Sequence, residues 1–227
     1  MQPYFFPYVG YFQLIHASDK FVFYDDVAFI KQGWINRNNI LLQGKAHLFS
    51  IPVSNISSFE SIAETKISYK VDWTVKFIKT IELSYKKAPN FDEIFPMLSA
   101  LVLEKPETIA ELAKKSIKLV LDHVGTSVDV VNSSAKYKNE NLKAQERIID
   151  ICKMENAKVY NNPIGGLSLY DRGTFNANKI ELKFVKPNAM EYSQFNNTFV
   201  PYLSTIDLMM FNSASAIKTM FTTFELV

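Results

Sequence analysis

The residue types that do chemistry crowd into the first forty positions, MQPYFFPYVG YFQLIHASDK FVFYDDVAFI KQGWINRNNI. Three phenols, Tyr4, Tyr8 and Tyr11, stand with Gln2 in a loop that Pro3 and Pro7 keep out of helix. Gly10 and the apolar Phe12, Leu14 and Ile15 predict a helix from there to about Ala17. A loop that opens a helix is a natural anion seat, because the first-turn amides lack intrahelical partners. An apolar run from Phe21 to Tyr24 reads as a strand and ends in Asp25-Asp26, two carboxylates able to serve as a general base or to hold a sugar hydroxyl or amine. Lys31, Trp34, Asn36, Arg37 and Asn38 follow, a set suited to a diphosphate and a sugar ring. Only three of the 25 basic residues are arginine, Arg37, Arg147 and Arg172. Arg37, set among asparagines, is the candidate for bidentate anion binding; Arg147 reads as a helix-surface residue.

Further along, Ser133 and the run Asn161-Asn162-Pro163-Ile164-Gly165-Gly166 each follow a predicted strand. Asn162 offers hydrogen bonds, and Gly165 and Gly166 allow backbone amides close to a phosphate or sugar. His47 is a third candidate base. Cys152 falls on an apolar helix face and reads as a buried structural thiol. His16, His47 and His123 lie too far apart for a metal-ligand spacing, so no metal site is expected.

These residues need elements to hold them. Strands are predicted at residues 20–27, 46–53, 127–131, 157–160 and 180–185, and helices at 141–156 and 204–221. Between them, Trp73, Phe77, Ile81 and Tyr85 mark a helix face at four-residue spacing, and two more helices follow up to Gly125. The stretch from about 72 to 125 therefore reads as a helical insertion in one domain spanning 1–227. Strand, loop, helix, strand predicts an α/β fold with a mostly parallel sheet and flanking helices. Loops after parallel strands share one edge, so the Asp25–Arg37, Asn132–Ser134 and Asn161–Gly166 loops are expected to meet there.

Composition narrows the classes. A hydrophobic content of 48% suits a full core. A net charge of +2 gives no field for nucleic acid. One cysteine precludes an internal disulfide and fits a cytoplasmic location. No apolar run is long enough for a membrane span. The absence of G-x-x-x-x-G-K-[ST], G-x-G-x-x-G and D-x-D argues against P-loop kinases, dinucleotide enzymes and metal-dependent glycosyltransferases. No cofactor is expected.

The segments QPYFFPYVGYFQLI, FVFYDDV.FIK.GWINRN, YNNPIGG..LYD...F and FVPYLSTIDLMMFNS resemble the WbqC-like protein family from residue 2 almost to the C-terminus. The resemblance implies work in bacterial O-antigen and surface-polysaccharide assembly. With it, the expected function is a transferase moving an acyl or aminoacyl group from a thioester donor, such as a carrier protein, to the amine of a nucleotide-linked amino sugar. A glycosyl- or nucleotidyltransferase of the same pathway and a non-enzymatic nucleotide-sugar-binding protein are the alternatives. Pro7-Tyr8-Val9-Gly10-Tyr11 is also distantly similar to the P-H-x-G-H loop of HIGH-type nucleotidyltransferases, with tyrosine at both histidine places.

Overall fold

The computed structural model describes residues 1–54, 59–195 and 198–227. Helix α1 (Val9–His16) starts directly after the proline-bracketed loop and leads into strand β1 (Lys20–Val22). Strands β2 (Arg37–Leu42) and β3 (Lys45–Ser50) form an antiparallel hairpin. Its turn places Gln43 at φ 52 and Gly44 at φ 73, the two left-handed residues a tight two-residue hairpin needs.

Three helices follow, α2 (Trp73–Tyr85), α3 (Phe91–Leu103) and α4 (Ile109–Val124). Asp72 caps α2 by accepting from the Thr74 and Val75 amides. Thr108 caps α4, and Gly125 ends it at φ 64. These helices bury Phe77, Ile81, Leu98, Ile117 and Val120 in the same apolar cluster as Phe5, Phe12, Ile40, Met209 and Phe221. The predicted insertion thus packs into the main core.

The remainder comprises β4 (Asp129–Val131), α5 (Ala144–Met154), β5 (Val159–Pro163), α6 (Arg172–Ala177), β6 (Glu181–Pro187), α7 (Thr205–Phe211), α8 (Ala214–Phe221) and β7 (Phe224–Leu226). The predicted closing helix is split. Asn212 turns to an extended conformation, and Ser213 starts α8 by accepting from the Ala216 amide.

The fold is mixed α/β, but among the described residues the single mostly parallel sheet is replaced by three small ones. β1 and β4 pair in parallel with Phe21 opposite Val130; β5 and β6 pair in parallel, and β7 joins β6 antiparallel. The strands at Phe21 and Val130 are neighbours as expected, whereas the strand at Val159 belongs to another sheet. The reason lies on the edge of β1 away from β4. There the Met1 ammonium donates to the Val22 carbonyl at 2.8 Å, and the Tyr24 amide donates to the Met1 carbonyl at 2.9 Å. A cavity of about 680 Å³ separates β1 from β5. The Asn161 side chain reaches α1 instead, donating to the Ala17 carbonyl at 2.6 Å. Among the described residues, no helix is long and apolar enough to cross a membrane.

Candidate functional site

The proline-bracketed loop is held from three sides. The Phe6 amide donates to Ser116 Oγ on α4 at 2.9 Å, and the Phe6 carbonyl accepts from Asn38 Nδ2 at 2.6 Å and from Ser204 Oγ at 2.8 Å. The Thr205 amide, at the start of α7, donates to the Pro7 carbonyl at 3.1 Å. Phe6 sits at φ 41, a left-handed conformation costly for a bulky residue, and these contacts hold it there. The result is that the start of α7 meets the loop that leads into α1.

At this place α1 has no cap. Its N-cap residue is Tyr8, whose side chain makes no capping hydrogen bond, and its first turn carries no acid. Neither the N-cap side chain nor the first turn offsets the partial positive end of the helix. Phenols line it. Burial pushes the Tyr8 hydroxyl above its ordinary range, with nearby Tyr202 adding to the effect. Burial does the same to Tyr4, with Tyr8 adding, and pushes fully buried Tyr11 well above its ordinary range. All three are therefore neutral hydrogen-bond donors at pH 7. Tyr11 spends its proton on the Gln2 carbonyl at 2.9 Å. Tyr202 is 81% exposed and sits at φ 59, a second aromatic residue held in the left-handed region. A Cβ built on Gly10 would lie 2.4 Å from the Tyr8 ring, so glycine lets that ring lie back across the helix start.

The loop after Lys31 is joined to the proline-bracketed loop, where the Phe5 amide donates to the Ile35 carbonyl at 3.0 Å. Arg37 stacks over the Trp34 ring at 5.5 Å, donates through Nε to the Gly33 carbonyl at 2.8 Å, and donates through a terminal nitrogen to the Gln32 carbonyl. Trp34 is half exposed and Lys31 exposed. Asn36 and Asn38 are buried and bound to the backbone, Asn36 at the Ile51 carbonyl (2.8 Å) and Asn38 at Phe6.

Asp25 and Asp26 sit at the C-terminal ends of β1 and β4, where Ser133 and Ser134 meet them. Asp25 is 1% exposed; it pairs with Lys114 Nζ at 2.6 Å and accepts from Ser133 Oγ at 2.7 Å and the Ser134 amide at 3.3 Å. Asp26 pairs with Arg147 and accepts from Ser134 Oγ. Arg147 also stacks over Tyr24 at 4.9 Å and donates to Asn139 Oδ1 at 3.0 Å. Arg147 is thus not the surface residue its helix position suggested: it is 3% exposed and locks α5 to the end of β1. Both carboxylates are engaged by cations. His47 is exposed on β3, opposite Ile40.

The 161–166 stretch is not the loop its composition predicted. Asn161 and Asn162 belong to β5, and Ile164–Leu169 form a 3-10 helix. Asn162 lines the cavity beside β1 and lies against Gly166, where an added Cβ would come within 1.9 Å of its amide nitrogen. Gly165 faces open space. The first-turn mouth at α1 and the β5 stretch are therefore separate features. Cys152 is buried, and burial pushes its thiol up to about 11. Among the described residues, no three His, Cys, Asp or Glu side chains gather in a way that could hold a metal ion.

Sequence reasoning gave no site role to Lys114, Tyr202, Thr205 or Asp207. Asp207 is fully buried; it accepts from Tyr85 at 2.8 Å, Tyr192 at 2.6 Å and Gln194 at 2.7 Å. The segment FVPYLSTID carried the signal, an uninterrupted polar-aromatic run before a helix, much as QPYFFPY precedes α1.

Comparison with protein-family models matches residues 2–219 to the WbqC-like protein family. The chain is 29% identical over 212 residues to the uncharacterized protein Rv1507c of Mycobacterium tuberculosis, covering 92% of this chain and 90% of the other. No solved structure matches.

Proposed function

The chain belongs to the WbqC-like protein family, and from that premise we propose that it is a transferase of bacterial surface-polysaccharide assembly whose α1 mouth binds a nucleotide-linked amino sugar. The group moved is an acyl or aminoacyl unit from a thioester donor. The observation that carries this reading is the uncapped start of α1 opening onto Tyr4, Tyr8 and Tyr202. The uncapped helix start and the neutral phenols suit the diphosphate. Trp34 with Arg37 offers a flat surface and a cation beside it.

In the reaction, the sugar amine attacks the thioester carbon, the C–S bond breaks, and an amide and a thiol form. The proton lost by nitrogen ends on the leaving sulfur, so the products balance without a further reactant. Asp25 and Asp26 are each held by a cation and His47 stands on an exposed strand, so in this reading the two aspartates shape the sheet end that supports the loop. Cys152 is buried and burial raises its thiol to about 11, so in this reading the acyl group passes straight to the amine and not through this thiol.

The test is a mixture of carrier-bound acyl thioesters and nucleoside-diphosphate amino sugars. Free thiol appearing together with an N-acylated sugar nucleotide is the expected outcome. Release of the sugar from its nucleotide would indicate glycosyl transfer instead. Tight binding with no turnover would leave a binding protein.

A further inference from the structure

The mouth described above is bounded on one side by Tyr202, an exposed aromatic residue in a costly backbone conformation. Such conformations persist only where the surroundings over-determine them. On the C-terminal side of Tyr202, Ser204 is held by the Asn39 and Phe6 carbonyls; on its N-terminal side the hold traces back to one buried carboxylate. Asp207 Oδ2 accepts from Tyr192 at 2.6 Å and from Gln194 Nε2 at 2.7 Å. Gln194, 1% exposed, closes the chain back on itself: its Oε1 accepts from the Val200 amide at 2.7 Å, and its Nε2 donates to the Val200 carbonyl at 3.1 Å. The other oxygen, Oδ1, accepts from Tyr85 on α2, whose hydroxyl also accepts from the Leu41 amide of β2. One side chain thus ties α2, β2 and the start of α7 to Tyr192 and Gln194 and, through Gln194, to Val200, two residues before Tyr202.

We propose that Asp207 and Gln194 are positioning residues for the α1 mouth: they act through the Val200 clamp to fix the backbone that presents Tyr202 beside Tyr8. This rests on the reading of the mouth as the sugar-nucleotide site. The clamp has the features of a device that sets geometry. Its carboxylate is fully buried and unable to reach a ligand itself. Its hydrogen bonds run to the backbone on both sides of one residue, Val200, which fixes the peptide planes that follow. Gln194 is well suited to this because a carboxamide donates and accepts at once; a carboxylate at position 194 would lose both donors.

A double-mutant cycle tests this, with calorimetric binding of a nucleoside-diphosphate amino sugar and thermal melting as readouts. The variants are Gln194→Ala, Tyr202→Ala and the pair. Gln194→Ala is expected to weaken binding about tenfold in the parent and hardly at all when Tyr202 is already Ala, while the melting temperature falls equally in both backgrounds. Equal affinity loss in both backgrounds overturns the proposal, as does no loss in either. Gln194→Glu, which keeps the size but not the donors, is expected to behave as Gln194→Ala does; full retention of affinity by Gln194→Glu also overturns it. Tyr8→Phe separates the two claims. If neither Tyr8→Phe nor Tyr202→Ala weakens binding, the mouth itself is misassigned and the clamp falls with it. If both weaken it and Gln194→Ala does not, the mouth stands and only the clamp fails.

Discussion

Gly10 and Tyr8 show how one residue can be required by the ring of another. The Tyr8 ring occupies the space a Cβ at position 10 would need, 2.4 Å away. Gly10→Ala should therefore displace the ring from the helix start and weaken sugar-nucleotide binding at least as much as Tyr8→Phe does. The melting temperature should change little, since a half-buried ring can swing where a core side chain cannot; equilibrium binding and a thermal melt on both variants check this. The pair Pro7-Tyr8 with Gly10 was legible in the sequence as a loop that opens a helix. The roles of Asn36 and Asn38 were not. Amide side chains look the same in a sequence whether they face a ligand or satisfy a buried carbonyl, and here they bind the Ile51 and Phe6 carbonyls. Arg147 was misread for a related reason: its helix neighbours are visible in the sequence, but its partner Asp26 is 121 positions away.

At the scale of elements, two buried carboxylates hold strands and helices together in opposite electrostatic settings. Asp26 and Arg147 join β1 to α5 as an ion pair with little solvent contact. Removing one partner leaves the other charge buried, typically a loss of ~3–5 kcal/mol. Asp26→Ala should therefore lower stability by about that amount in chemical denaturation, and Asp26→Ala with Arg147→Met should recover much of it. Asp207 has phenols and a carboxamide around it, and burial raises its carboxyl above the ordinary value of 3.8, its hydrogen bonds opposing. A raised folded value means the folded state holds the proton more tightly than the unfolded one. That contribution to stability is full below pH 3.8 and is lost as pH rises through the raised value. Asp207→Asn should thus gain in melting temperature relative to the parent as pH rises from 4 towards neutrality. A difference that shrinks over that range would contradict the burial argument. The sequence showed the helices α2 to α4 well, because their apolar spacing and caps are local. It missed β2 because Gln43-Gly44 is a weak hairpin signal, and it joined α7 to α8 because Asn212 and Ser213 interrupt the helix without disturbing the apolar pattern.

At the scale of the whole molecule, the two aromatic-polar runs at opposite ends of the chain, QPYFFPY and FVPYLSTID, come together through Ser204, Thr205, Phe6 and Pro7. The sequence indicated the first run as a site but placed its partners on a shared edge of one sheet. Among the described residues three small sheets replace that edge, so Asn162, Gly165 and Gly166 stand with β5 while the C-terminal segment meets the first run. The central claim is that this mouth holds a sugar nucleotide. A hydrogen bond to a charged group contributes about 1.5–3 kcal/mol, so losing one weakens binding roughly tenfold to a hundredfold. The most direct measurement is calorimetric titration of a nucleoside-diphosphate amino sugar into the parent, Tyr8→Phe, Arg37→Ala and Arg172→Ala. Arg172 lies at the start of α6, stacked over Phe184 at 5.4 Å and apart from the loop tied to Phe5. Tyr8→Phe and Arg37→Ala should each weaken binding by about that factor, with Arg172→Ala unchanged. Undiminished binding in Tyr8→Phe and Arg37→Ala, or an equal loss in Arg172→Ala, would contradict it.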